Sequence, residues 1–144
     1  MKPTLDDAIL LAATAHLGQR DKVGAPYILH PLRVMLRLKT EPERIVGVLH
    51  DVIEDTNHTL DELRELGYSE EILHALDCVT RRDSESYEEF VLRSKADPIA
   101  RQVKLADLED NLDVRRMAGV TEKDMERVVR YRKAWAVLQE PARD

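Results

Sequence analysis

Apolar residues recur along this chain at helical spacing. After Pro98, for example, Ile99, Val103 and Ala106 fall on one stripe of a helix. No segment shows the sustained apolar–polar alternation that is typical of a half-buried strand. The pattern therefore predicts an all-α protein.

Capping residues and prolines mark where the predicted helices begin. Thr4, followed three residues later by Asp7, matches a capping box, and Pro31 is predicted at the first position of the second helix. The predicted helices cover about residues 4–17, 31–38, 42–55, 59–67, 69–79, 86–95, 98–112 and 121–139. We expect about seven or eight helices to pack as an irregular bundle in a single domain over residues 1–144.

Composition and charge narrow the classes of function. With 43% hydrophobic and 35% charged residues, the 144-residue chain can bury a core of its own. Its net charge of −6 argues against a general nucleic-acid or anionic-membrane binder, but allows a local pocket for a small anion. Cys78 is the only cysteine, which excludes an internal disulfide and a Cys-rich zinc site. Because the apolar run at residues 8–15 is too short to span a bilayer, we expect a cytoplasmic protein.

One charged cluster follows directly after an apolar run. Residues 45–49 are all apolar or glycine, and His50 and Asp51 come next, with Glu54 and Asp55 one turn further on. Charged groups that end a buried helix are costly unless they are paired or bound to a metal. A His-Asp dipeptide alone is more often an ordinary surface pair, so both interpretations stay open for this stretch by itself.

Two further residues favour a metal site. His30 precedes Pro31 at a predicted helix start, where it could also be a capping or core histidine. Asp107 lies on a helix with apolar flanks, where a salt bridge to Lys104 is the simplest interpretation. Two histidines and two carboxylates from three helices would suit a borderline divalent ion with open positions for water, provided that the helices converge.

Four stretches of the chain occur in the order and at the spacing of a known enzyme family. They are residues 16–19 with Lys22, residues 24–31, residues 48–56, and Val103–Asp107 with Asn111. With them the chain resembles the HD-domain metal-dependent phosphohydrolases, specifically the (p)ppGpp hydrolase domain of the RelA/SpoT family and its small stand-alone members. The resemblance covers about residues 4–116 and implies an HD-domain helical bundle.

The resemblance also implies a reaction and the residues that carry it. The family removes the 3′-pyrophosphate of a guanosine alarmone by means of water activated at a divalent ion, usually Mn²⁺. The metal-ligand positions are matched by His30, His50, Asp51 and Asp107. The acidic pair that positions and deprotonates the water is matched by Glu54 and Asp55. Positions near the nucleotide or the metal are matched by Lys22, Lys104 and Asn111.

The chain departs from the family pattern at three acidic residues. Asp21 stands where the family has an arginine. After the Asp107 match the family continues with a basic residue and then a histidine before the asparagine, whereas this chain has Leu108, Glu109 and Asp110 before Asn111. We expect these acids near the pocket, where they disfavour a highly charged nucleotide. The expected partner is a small nucleotide with a 3′-pyrophosphate, built on guanosine or adenosine. The alternatives are another HD nucleotide phosphohydrolase or phosphodiesterase, and a non-catalytic HD module that senses a nucleotide.

The remaining basic residues receive structural interpretations. The pair Arg115–Arg116 could bind phosphate, but paired arginines at helix ends more often satisfy carbonyl groups. The basic stretch Arg127–Lys133 is predicted to be a solvated face of the last helix rather than a nucleic-acid surface.

Overall fold

The computed structural model describes residues 2–141, which form α-helices joined by short loops. The helices are α1 (Leu5–Ala15), α2 (Leu29–Leu36), α3 (Glu41–Leu49), α4 (Val52–Asp55), α5 (Leu60–Glu65), α6 (Glu70–Cys78), α7 (Tyr87–Ala96), α8 (Pro98–Asn111) and α9 (Glu122–Gln139). A 3₁₀ turn over Val114–Arg116 precedes α9. Within residues 2–141 the extended pairing is limited to one isolated bridge between Arg20 and Pro26, which confirms the all-α prediction. In the same range, every helix is too short or too polar to cross a membrane.

Local capping explains where most helices begin. Reciprocal capping boxes, in which a threonine and an acidic residue three positions later bond each other's main chain, form at Thr4, Thr40 and Thr121. At the start of α5 only half of such a box forms between Thr59 and Glu62. Thr59 accepts the N–H of Glu62, but the Glu62 carboxylate pairs with His58 Nδ1 at 2.9 Å instead.

Two predicted details of α2 and α3 are wrong. Helix α2 begins at Leu29, so Pro31 is its third residue rather than its first; the first turn tolerates proline because its N–H groups have no intrahelical acceptor. The helix predicted over residues 42–55 divides into α3 and α4 at His50 and Asp51. Asp51 has φ −100° and ψ −2°, and this irregular turn separates the two helices.

Helices α3 and α8 lie at the centre of the bundle. Helix α3 packs against α1, α2 and α8, and α8 also packs against α7 and α9. Fully buried residues such as Val46 and Leu49 join the main core, while Leu108 and Leu138 belong to a smaller cluster beside α9. A Cβ at Gly47 would lie 2.5 Å from the Leu38 side chain, so glycine permits close packing of α3 against the chain around α2. This packing places His30 beside His50.

Candidate active site

Four side chains from three parts of the fold meet at the end of α3. His30 comes from α2, His50 and Asp51 from the junction of α3 and α4, and Asp107 from α8. His30 Nε2 lies 2.9 Å from Asp107 Oδ1 and 3.8 Å from Asp51 Oδ2. His50 Nε2 lies 3.4 Å and 3.0 Å from the same two oxygens. The structure therefore brings together the four ligand positions that the sequence predicts.

The spacing of these atoms fits a divalent ion. Ligand atoms on adjacent corners of an octahedral ion bonded at about 2.1 Å lie about 3 Å apart. His30, His50 and Asp107 each offer a ligand atom, and these atoms lie within 4.8 Å of one another. His50 Nε2 is buried and has no hydrogen-bond partner among residues 2–141. A cation would account for such a nitrogen, because buried polar atoms are otherwise nearly always bonded.

Both histidines are oriented through their other ring nitrogen. His50 Nδ1 lies 2.6 Å from the main-chain oxygen of Gly47. Because that oxygen can only accept, Nδ1 carries a hydrogen, and Nε2 is the nitrogen that faces the centre, where a bound cation would take the place of its proton. His30 Nδ1 lies 2.6 Å from Asp110 Oδ2, which leaves His30 Nε2 facing the same point.

The charged residues of the cluster shift one another's pKa values. Burial by itself lowers the pKa of His50, but the neighbouring Asp51 and Asp107 carboxylates raise it well above its usual range. Burial by itself raises the pKa of Asp107, but Lys104 and the two histidines hold it well below its usual range. Asp107 is therefore charged at neutral pH, and the charged form is the one that binds a cation.

Glu54 and Asp55 lie on α4 and line the same cavity as the four ligand residues. Glu54 Oε1 accepts the main-chain N–H of Arg81 at 3.0 Å. Burial raises the pKa of Glu54 above its usual range although the Arg81 N–H lowers it, and the charges of Asp51 and Asp55 add to the rise. Burial and Asp51 also raise the pKa of Asp55. A carboxylate with a raised pKa is a stronger base, so this pair is suited to take a proton from water.

The cluster lines one cavity, and a second, larger cavity adjoins it. The smaller, of about 210 Å³, is lined by the four ligand residues together with Glu54 and Asp55. The larger, of about 540 Å³, is lined by loop residues 20–23 and by residues of the 3₁₀ turn and α9, among them Arg127 and Tyr131. Residues that line both cavities are Tyr27, Asn111 and Arg116. A ligand that extends from the smaller into the larger cavity would pass these side chains.

The three predicted substrate residues have different positions. Lys104 Nζ is buried and donates to Asp107 Oδ2 at 3.0 Å, which confirms the salt bridge expected from the sequence. Asn111 Nδ2 donates to Asp107 Oδ1 at 3.2 Å. Lys22 is exposed and lines the larger cavity only. Lys104 and Asn111 thus adjoin the ligand cluster, whereas Lys22 does not.

Two residues at the site were not predicted. The Tyr27 hydroxyl donates to Asp51 Oδ2, and the only sequence signal was that Tyr27 belongs to the stretch that contains His30. Arg116 Nη1 donates to the main-chain oxygen of Asp110 at 3.0 Å, which confirms its predicted bond to a helix-end carbonyl. The same nitrogen also donates to Asp110 Oδ2 at 2.7 Å, and Arg116 lines both cavities. Arg116 therefore bonds the end of α8 and at the same time lines the cavities, so the two interpretations of this residue do not exclude each other.

Of the three acidic residues expected near the pocket, Asp21 lines a cavity, whereas Glu109 and Asp110 do not. Asp21 lines the larger cavity, but its Oδ1 accepts two main-chain N–H groups of its own loop. Glu109 lines neither cavity and lies 3.6 Å from Arg37. Asp110 is fully buried behind His30 and also lines neither cavity. These positions remove most of the expected repulsion against a highly charged nucleotide.

No family model matches the chain, but curated proteins do. A GTP pyrophosphokinase of Myxococcus xanthus is 35% identical over 131 residues, which is 76% of this chain and 17% of that protein. A guanosine-3′,5′-bis(diphosphate) 3′-pyrophosphohydrolase of Aquifex aeolicus is 34% identical over 113 residues, 70% of this chain and 16% of that protein. The chain spans about a sixth of the length of these relatives.

A solved structure has a similar fold. It is described as a metazoan orthologue of SpoT that hydrolyses ppGpp. The TM-score is 0.74 and the sequence identity is 24%, and the match covers 96% of this chain and 87% of that chain. At this identity the likeness concerns the fold, while the curated relatives supply the sequence similarity. By its sequence and its fold together, the chain is an HD-type domain that resembles the (p)ppGpp hydrolase domain of the RelA/SpoT family.

Proposed function

We propose that the chain hydrolyses a small phosphorylated nucleotide with the help of a divalent ion, and that it removes the 3′-pyrophosphate of a (p)ppGpp-like alarmone. The observation that carries the proposal is the convergence of two histidines and two aspartates beside Glu54 in one cavity. The substrate is supported by the name of the Aquifex aeolicus relative, a guanosine-3′,5′-bis(diphosphate) 3′-pyrophosphohydrolase. The proposed setting is the cytoplasm, to which the free and buried Cys78 thiol is suited.

The proposed ion is Mn²⁺. Two imidazole nitrogens and two carboxylate oxygens suit a borderline divalent ion and leave coordination positions for water. When bound, such an ion lowers the pKa of water and offsets phosphate charge in the transition state. The residues that would hold it are His30, His50, Asp51 and Asp107.

Glu54 is the proposed general base. Its raised pKa and its place in the same cavity suit it to take a proton from water as the water oxygen bonds to the phosphorus next to the sugar 3′ oxygen. The phosphorus–oxygen bond to the sugar then breaks and pyrophosphate leaves. The sugar 3′ oxygen takes a proton from solvent water to become the 3′-hydroxyl, and Glu54 returns its proton to solvent. Asp55, the next residue along α4, is proposed to position the water.

The two cavities suggest how the rest of the substrate is held. Lys104 and Asn111, which adjoin Asp107, are proposed to lie near the reacting phosphates, where a cation offsets developing negative charge. Lys22 is proposed to contact a more distant part of the nucleotide in the larger cavity. A volume of about 540 Å³ is in the range that holds small-molecule ligands.

A substrate panel tests the reaction. The panel contains ppGpp, pppGpp, their adenosine analogues and plain mononucleotides, each incubated with Mn²⁺ and analysed by ion-exchange chromatography. We expect pyrophosphate from the compounds with a 3′-pyrophosphate. Orthophosphate from a mononucleotide, without pyrophosphate from any alarmone, would indicate a different HD phosphohydrolase. Binding without turnover of any compound would indicate a sensing module, and both outcomes would reject the proposal.

The variant Glu54→Gln tests the base. Its amide oxygen can still accept the Arg81 N–H, but it cannot take a proton from water. We expect Mn²⁺ affinity close to wild type by calorimetry and a fall in kcat of about 10²- to 10⁴-fold. The matched control is Glu65→Gln, an exposed acid on α5, which should keep full turnover. Wild-type turnover in Glu54→Gln would remove Glu54 from this role.

A further inference from the structure

Asp110 lies directly behind His30, on the side that faces away from the ligand cluster. His30 Nδ1 is 2.6 Å from Asp110 Oδ2, and His30 Nε2 is 2.9 Å from Asp107 Oδ1. His30 is 4% exposed and Asp110 is 0% exposed, so water does not compete for these contacts. The imidazole ring is therefore held between two carboxylates, of which only Asp107 belongs to the proposed ligands.

Arginine side chains surround the Asp110 carboxylate. Arg33 Nε donates to Oδ1 at 2.9 Å, and Arg116 Nη1 donates to Oδ2 at 2.7 Å. Arg37 Nη2 lies 3.9 Å from Oδ1. A buried carboxylate with cationic partners stays ionised and can only accept hydrogen bonds. The hydrogen shared with His30 therefore resides on Nδ1.

The arginines alone would suffice for a purely structural ion-pair cluster. They join α2, α8 and the 3₁₀ turn around one buried charge. The contact to His30 connects this cluster to the ligand residues across 80 positions of sequence. His50 Nδ1 donates the corresponding bond to the neutral Gly47 carbonyl, so of these two histidines His30 is the one whose acceptor is charged.

We propose that Asp110 is a positioning residue, which holds the His30 ring so that its Nε2 lone pair points at the bound ion and which makes that nitrogen a stronger ligand. Carboxylates behind metal-bound histidines act in this way, and their removal typically weakens metal affinity about 10- to 100-fold. The inference rests on the metal centre of the proposed function. It goes beyond that function because Asp110 lines neither cavity and so contacts neither ion nor nucleotide.

The first test is Asp110→Asn, measured as Mn²⁺ affinity by calorimetry on metal-free protein. The amide replaces the charged acceptor with a neutral one of the same shape, and we expect affinity to fall about 10- to 100-fold. The matched control is Glu109→Gln, the same chemical change one residue earlier on an acid that lines neither cavity, and it should bind Mn²⁺ as wild type does. Wild-type affinity in Asp110→Asn would overturn the inference.

A second variant separates positioning from general weakening of the fold. Arg33→Met removes one arginine from the cluster but leaves the bond between Asp110 and His30 in place. We expect lower thermal stability in Arg33→Met with Mn²⁺ affinity close to wild type. If Arg33→Met lost as much affinity as Asp110→Asn, the effect would belong to the cluster as a whole and the inference would fail.

A spectroscopic readout addresses His30 directly. In ¹⁵N-labelled protein loaded with diamagnetic Zn²⁺, the His30 Nδ1–H proton should resonate far downfield because it is bonded to a carboxylate. The signal should move upfield in Asp110→Asn and stay in Arg33→Met; an unmoved signal in Asp110→Asn would contradict the inference. Since these readouts need a metal but no substrate, a failure of every nucleotide to turn over would reject the proposed reaction alone.

Discussion

Two largely buried clusters of charged residues in this protein differ in how completely they are bonded. In the first cluster, which lies beside the end of α6, Arg93 of α7 donates through Nε and Nη2 to the Glu85 carboxylate. Its Nη1 and Nη2 also donate to the main-chain oxygens of Asp77 and Thr80, each at 2.6 Å. All three nitrogens of the guanidinium group therefore have acceptors.

The hydrogen bonding of the candidate active site is less complete. His50 Nε2 has no hydrogen-bond partner within residues 2–141, although it lies 3.0 Å from Asp51 Oδ2. Two further carboxylates, Glu54 and Asp55, line the same cavity, and burial and the Asp51 charge raise the pKa of both. The cluster has more acidic groups than cations to balance them.

This difference in hydrogen bonding distinguishes a cluster that stabilises the fold from a cluster that can bind a cation. A fully bonded buried ion pair needs no further partner, whereas an acid-rich set with an unbonded nitrogen is complete only when a cation is added. The two clusters are also connected. Arg93 holds the Thr80 oxygen, and the N–H of the next residue, Arg81, bonds Glu54. The Arg93 cluster thus supports Glu54, the proposed base of the candidate active site.

The largest effect is expected from removing a proposed ligand. In Asp51→Asn we expect Mn²⁺ binding to be lost and kcat/KM to fall more than about a thousandfold, since a bound ion supplies several kcal/mol of transition-state stabilisation. In the wild type, Mn²⁺ at 100 times its Kd should add about 2.7 kcal/mol to the free energy of unfolding, and this gain should vanish in the variant. Calorimetry and thermal unfolding with and without Mn²⁺ measure both.

The control for this variant is Asp61→Asn, an exposed acid of α5 outside both cavities. It should respond to Mn²⁺ as the wild type does. Unchanged Mn²⁺ affinity in Asp51→Asn would remove Asp51 from the ligand set. It would also contradict the view that the active-site cluster, unlike the Arg93 cluster, needs a cation to be complete.

A smaller effect, on stability alone, is expected at the bonded cluster. Glu85→Gln replaces the charged acceptor of Arg93, and charge-assisted hydrogen bonds are worth more than neutral ones. We expect the free energy of unfolding to fall by about 2 kcal/mol in urea titrations, with Mn²⁺ affinity unchanged. Glu88→Gln, an exposed acid on α7, is the matched control and should cost little. Weaker Mn²⁺ binding in Glu85→Gln would mean that both clusters serve the metal.

The smallest effect is expected in the pH dependence of the stability difference between wild type and Glu85→Gln. Hydrogen bonds from Arg93 lower the pKa of Glu85 from 4.5 to about 2. A carboxylate whose pKa is lower in the folded chain stabilises the fold fully above the unfolded pKa, and this contribution is lost as pH falls through the folded pKa. The stability gap between wild type and Glu85→Gln should therefore stay constant from about pH 7 to 5 and shrink from about 4.5 towards 2. Urea unfolding at several pH values measures it; a gap that widens in acid would contradict this prediction.

Most helix starts could be predicted because their causes are local. A capping threonine such as Thr40 bonds a main-chain N–H three residues away, whatever the rest of the chain does. The break between α3 and α4 could not be predicted in this way. It occurs at His50 and Asp51, where both side chains face groups from α2 and α8. The single domain over residues 1–144 and the substrate contact of Lys22 stay predictions.

The sequence by itself determined the helical architecture and most helix starts, because periodicity and capping are local properties of the chain. Its resemblance to the HD-domain family supplied the residues of the proposed metal centre. Only the tertiary structure decided which of these residues meet. The carboxylate of Asp110 lies behind His30, rather than in the pocket where the family pattern placed it, because α2 packs against α8. Arg116 lines both cavities for the same kind of reason: its bonds to Asp110 hold it beside the end of α8. Contacts across 80 residues arise from packing of helix faces, and no local pattern encodes them.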